Sequence, residues 1–139
     1  MSAPSNYAAT QAAFDAVLAA VTAGGDIVVE GQTYQPVAGR PYLSCRLSAY
    51  TRTPMAIDPN TPFDVRGSYQ VNIQRPANEG KAIAAQIADL IVALFPRGMA
   101  LALGTGASLT VLSAGAQPAI TEGDWLTVPV VVSWFGTDS

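Results

Sequence analysis

A chain of 139 residues is enough for one domain around one core, and no repeat or composition break divides residues 1–139. Seven basic and ten acidic residues leave a net charge of −3 with the basic ones scattered, which excludes a phosphate-neutralising nucleic-acid module and a membrane surface bound through polyanions. One cysteine excludes an internal disulfide, and the lack of any histidine removes imidazole bases, His-dependent nucleophile pairs and the commonest metal ligand.

Residues 1–5 read as a loose terminus. From Asn6 to Ala23 the apolar residues Phe14, Val17, Leu18 and Val21 recur at i, i+3, i+4, i+7, one face of an amphipathic helix. Ser5 or Asn6 caps it, and Gly24-Gly25 ends it. Asp26–Glu30 is short, β-branched and flanked by glycine, which predicts a strand. After a connector at 31–41, Tyr42–Tyr50 alternates, with Leu43, Cys45, Leu47 and Ala49 facing one way and Tyr42, Ser44, Arg46, Ser48 and Tyr50 the other.

Residues 51–64 carry three prolines and the turn sequence Asp58-Pro59-Asn60, so they read as a long loop between antiparallel strands. Val65–Arg75 alternates again and stops at Pro76. A second helix follows, capped by Asn78 with Glu79 in its positive first turn. Its apolar stripe is Ile83, Ile87, Leu90, Ile91 and Leu94, and Pro96 and Gly98 stop it. Leu101–Leu103 and Leu109–Leu112 flank Gly104-Thr105-Gly106 as a hairpin. Trp125–Phe135 is the last strand, with Val128, Val130, Val132 and Trp134 on one face. Pro129 there predicts an edge position or a locally unpaired site. The reading is an α+β domain, order α-β-β-β-α-β-β-β, with a mainly antiparallel or mixed sheet and both helices on one face.

Chemistry-bearing residues are few. Cys45 falls on the apolar face of a strand, where a thiol is core rather than reactive. Gly104-Thr105-Gly106 lacks the strand-to-helix setting and the Lys-Ser/Thr ending of a phosphate loop. Lys81, the one lysine, reads as a solvated charge. Two carboxylate pairs remain, Asp58 with Asp64 and Glu122 with Asp124. Oxygen ligation of a divalent cation or a hydrolytic acid pair is the active reading of them; solubilising turn acids is the plain one. No metal, cofactor or enzymatic activity is expected. Charged residues make up 12 % of the chain, about half the ordinary ~25 %. Such a surface is either partly covered by neighbouring subunits or simply rich in Ala, Thr, Ser and Gln. No apolar run reaches the roughly 18 residues of a membrane span, and no signal-peptide pattern opens the chain. A soluble, intracellular protein is expected.

The ordered set Pro41-Tyr42-Leu43, Gly67-x-Tyr69-Gln70-Val71, an Ala-rich helix ending Leu94-Phe95-Pro96-Arg97-Gly98, and Asp124-Trp125 before Val128-Pro129-Val130 and Trp134 resembles the tail-terminator-like proteins of tailed phages. These are similar to the minor tail protein U of lambda-like siphophages and are also encoded in prophages, and the resemblance runs from about Tyr7 to Trp134. It implies a structural virion protein that assembles as a six-membered ring on the tail tube, ends tube polymerisation and meets a head–tail connector protein. Location in the virion tail, after assembly in the host cytoplasm, follows from it; the low charge and the long 51–64 loop add the expectation of a free subunit that is a monomer until the tube end templates the ring. No active site comes with the resemblance. A head–tail connector or tail tube subunit of related fold is the nearest alternative, and a small acidic ligand-binding or hydrolytic domain the more distant one. Charges of both signs at Arg52, Asp58, Asp64 and Arg66 make the loop the candidate subunit interface, because complementary charges set register and partner choice.

Overall fold

The computed structural model describes residues 3–19, 26–29, 41–54, 63–77, 81–102 and 108–138. Two helices, α1 (Ala3–Leu18) and α2 (Lys81–Leu94), accompany seven strands: β1 (Asp26–Val29), β2 (Tyr42–Pro54), β3 (Phe63–Pro76), β4 (Ala100–Ala102), β5 (Ser108–Ala116), β6 (Ile120–Glu122) and β7 (Trp125–Asp138). The sheet runs β1-β2-β3-β7-β5-β4, and β6 extends the β5 side of β7. Only the β1–β2 pair is parallel. The α+β class and its element order hold, with β6 as one short strand more, too brief to show periodicity.

One face of the sheet is apolar and carries both helices. Leu43, Cys45 and Leu47 on β2 lie opposite Ile73, Val71 and Tyr69 on β3, which lie opposite Val128, Val130 and Val132 on β7. All nine are buried, together with Phe14 and Leu18 of α1 and Ala84, Ile87, Ala88 and Ile91 of α2. Where the helices meet the sheet, Phe14 stacks on Tyr69 at 4.8 Å and lies near Phe95 and Trp134 at 5.7 and 6.0 Å. Offset and tilted rings at such distances add about 0.5–1.5 kcal/mol per pair beyond area burial.

Several sequence expectations are corrected. Helix α1 begins at Ala3, inside the stretch expected to be loose; Pro4 is tolerated because a first-turn N–H has no helical partner. Val17 is half-buried, and Val21 and the Gly24-Gly25 stop lie outside the described residues, as do the Asn78 cap and the Gly104–Gly106 turn. On α2, Ile83 and Leu90 are 40 % and 52 % exposed. The helix turns Ala84 and Ala88 to the sheet instead, since small side chains let its backbone approach closely. Strands β2 and β3 reach to Pro54 and from Phe63, so strand pairing takes up both ends of the expected 51–64 loop, and 55–62 lies outside the described residues.

Pro129 is not on an edge, because β7 is central. Its second expectation holds. Its carbonyl accepts from Gln117 N (2.8 Å), at the break where β5 has ended at Ala116 and β6 has not begun. In a strand the N–H and C=O of one residue point to the same side, so the missing donor falls where no ladder partner exists. The Pro96–Met99 stop also has a reason. Met99 N donates to Pro96 O across a turn whose third residue, Gly98, has φ 86°, as a type II turn requires. Gly98 N then donates to Val111 O, tying the end of α2 to β5.

Candidate assembly surfaces

The far ends of β2 and β3 carry the sequence-predicted interface. Arg52 pairs with Val65 in the ladder, and Asp64 and Arg66, two residues apart, share the sheet face that the helices leave open. Arg66 Nε donates to Asp64 Oδ2 at 2.9 Å, with the arginine side chain 73 % exposed. A pair this exposed adds only about 0–1 kcal/mol to folding, so its consequence is to hold a guanidinium in place at the surface. The structure thus brings Asp64 and Arg66 together. Asp58 and the Arg52 side chain lie outside the described residues.

Sequence reasoning missed the residue beside them. Phe135 lies opposite Arg66 on β3 and Thr110 on β5, on the open face, and stays 39 % exposed. The alternation of β7 puts Phe135 opposite in sense to Trp134, which was the available signal. The rest of this face carries little charge and mixes polar residues with Ile120, Trp125 and Val131, which lie opposite Thr127, Pro76 and Gln70. Gln70 donates to Asn72 (2.8 Å), Thr127 to Gln74 (2.7 Å), and Ser48 and Ser68 share a bond of 2.6 Å. Tyr42 meets Trp125 edge-on at 5.6 Å.

On the helix side, Ala85, Ala88, Asp89, Ala116, Gln117 and Val128 line most of an open pocket of about 240 Å³, where the β5–β6 break passes under α2. Pockets for small molecules are larger, about 300–1,000 Å³. Of the exposed residues described on α2, namely Ala82, Ile83, Ala85, Gln86, Asp89, Leu90 and Ala93, only Asp89 is charged.

Of the carboxylates read as possible ligands, Asp64 is engaged by Arg66 and Asp58 lies outside the described residues. Glu122 and Asp124 are exposed at the β6–β7 turn, where Gly123 (φ 57°) precedes Asp124 in a two-residue hairpin loop with glycine first. Among the described residues no three Asp, Glu or Cys side chains are grouped to hold a metal. Cys45 is buried, as expected, and faces Asp15 Oδ1 at 3.4 Å. Asp15 also accepts from the Tyr69 hydroxyl (2.5 Å) and from Gln11 (3.1 Å), while Gln11 Oε1 accepts from Leu47 N (3.0 Å), beyond the last β1–β2 pair. Burial foremost, and then the Cys45 sulfur and Asp15, pushes the Tyr69 phenol well above the ordinary tyrosine range. This seam docks α1 on the sheet, and all its members are used in that.

The fold is thus an α+β sheet with one face covered by the helices and the other left open, with no cluster of catalytic or metal-ligating side chains among the described residues. The chain belongs to the phage tail terminator protein family, whose model matches residues 8–134. It is accordingly a structural protein of the phage tail. Among solved structures it is similar to a protein whose name states no function, at 25 % identity and a TM-score of 0.72, with 98 % of this chain and 96 % of that one covered. It is also similar to a chain from the virion of a native gene transfer agent particle, at 19 % identity and a TM-score of 0.61, covering 91 % and 93 %; that likeness is one of fold. No curated protein matches it in sequence.

Proposed function

We propose that the protein caps the tail tube as a ring, ends tube polymerisation and offers its other side to a head–tail connector protein. The observation that carries this is the family match over residues 8–134, which takes in most of α1, all of α2, strands β1 to β6 and most of β7. The low charge supports it, since a chain with only 12 % charged residues has a surface better hidden among neighbours than solvated. A closed ring of identical subunits needs two different contact patches per subunit, and the open face and the α2 face are two such patches. In this reading Arg52, Asp58, Asp64 and Arg66 belong to the subunit contact, the tail tube protein and the connector are its partners, and the ring forms in the host cytoplasm before the tail joins the head.

Electron microscopy of particles made with and without the gene tests this. Without the protein, tubes of uncontrolled length that carry no heads are expected. Tails of normal length joined to heads in its absence would remove the reading.

A further inference from the structure

We infer that the ring contact is a knob and a hole: Phe135 and Arg66 of one copy enter the pocket beside Asp89 on α2 of the next. This rests on the ring reading and adds to it the two patches that meet. The hole, about 240 Å³, is below the size of a metabolite pocket and is lined mainly by alanine and valine side chains, with one carboxylate, Asp89. The knob is an apolar ring left 39 % exposed on the open face, and its cross-strand neighbour is a positive charge. Directly opposite side chains of paired strands have Cβ atoms about 4.5–5.5 Å apart. An aromatic ring and a guanidinium therefore present themselves as one unit, matched by an apolar pocket and a carboxylate. Because Arg66 already bonds Asp64 through Nε, its direction is set before the partner arrives.

The placement of the two patches decides what kind of assembly they make. The pocket lies on the helix-covered side of the sheet, since α2 and the core-facing Val128 line it, whereas Phe135 lies on the open side. One chain therefore cannot satisfy itself, and two copies that dock leave one knob and one hole free. Such a contact is heterologous, adding subunits head to tail until the ring closes. A partner of other chemistry would have no need of this match in sign and size between two faces of the same chain.

Cross-linking tests it with the full chain and with buried Cys45 left in place. Asp89→Cys and Arg66→Cys proteins, one carrying a size tag, are mixed in equal amounts at high concentration and oxidised gently while light scattering reports mass. Mixed dimers well in excess of random pairing are the expected result, and Phe135→Ala in the Arg66→Cys partner should remove that excess. Symmetric dimers, or no cross-link in a sample that scatters as an oligomer, would overturn the knob and hole while leaving the ring intact. A sample that stays monomeric at every concentration and gives no cross-link when tail tubes are added to template the ring would overturn the contact, and the separate tail-length experiment would then decide the ring. As a second measurement, Asp89→Arg and Arg66→Asp should each reduce assembly, and their combination should recover it; no recovery would count against the pairing.

Discussion

Gly67 shows how one residue is fixed by its surroundings. A Cβ there would lie 2.2 Å from the Ala49 carbonyl oxygen and 2.7 Å from Trp134 Cζ2. The β2–β3 register shifts between Leu47 and Ala49, bringing that carbonyl close, and the indole crosses over the glycine towards Tyr50, 5.8 Å away. Because one of the obstructing atoms is backbone, Gly67→Ala should destabilise by at least the ~1–3 kcal/mol of ordinary overpacking, read as a lower denaturant midpoint. Tyr69 gives a second residue-scale prediction. Its folded pKa is raised, so its contribution to stability is full below the unfolded value of about 10 and is lost as pH climbs from there towards the folded value. Thermal midpoints measured from neutral pH upward should fall more steeply above about pH 10 in the wild type than in Tyr69→Phe. At neutral pH that variant should be weaker by about 1.5–3 kcal/mol, the scale of a hydrogen bond to a charged acceptor, here Asp15.

At the scale of elements, helix α2 is the informative case. Its sequence has more apolar positions than one face can bury, so periodicity defines a stripe wider than the contact. Ile87 and Ile91 are in the core, but Ile83 and Leu90 flank it and are exposed. Ile87→Ala should cost about 2–5 kcal/mol by chemical denaturation, whereas Leu90→Ala should stay within about 0.5 kcal/mol. Equal losses would mean that the helix is rotated from the orientation described. The β5–β6 break is the other element-scale feature. Gln117-Pro118-Ala119 and Pro129 sit across from one another, and together they interrupt the ladder where the pocket opens.

For the whole molecule, the consequence of the sheet order is a subunit with two unlike sides. The proposed contact at the β2–β3 end should therefore matter for assembly and not for folding. Reversing charge at both Arg52 and Asp58 is expected to stop ring formation or tail completion while the thermal midpoint of the monomer is unchanged. Normal tails from that double variant would return these residues to the role of solvated charges.

Periodicity by itself determined the two helices and the longer strands, though not β6 or the outer ends of β2 and β3, because side-chain alternation of 2 and 3.6 residues is a local property. It also determined most of the buried strand faces: Leu43, Cys45, Leu47, Val71, Ile73, Val128, Val130 and Val132 lie where alternation put them, but the register shift after Leu47 reverses the expected faces, leaving Ala49 exposed and packing Tyr50 against the core. The ordered motifs from Pro41 to Trp134 carried the family, which the match over residues 8–134 bears out. Only the tertiary structure decided that β7 is central with Pro129 beside a ladder break, that α2 offers alanines rather than Leu90 to the sheet, and that Arg66 and Phe135 share one open face. These depend on which strand lies next to which and on how closely a helix approaches it. Such relations join residues far apart in the chain, and no local period encodes them.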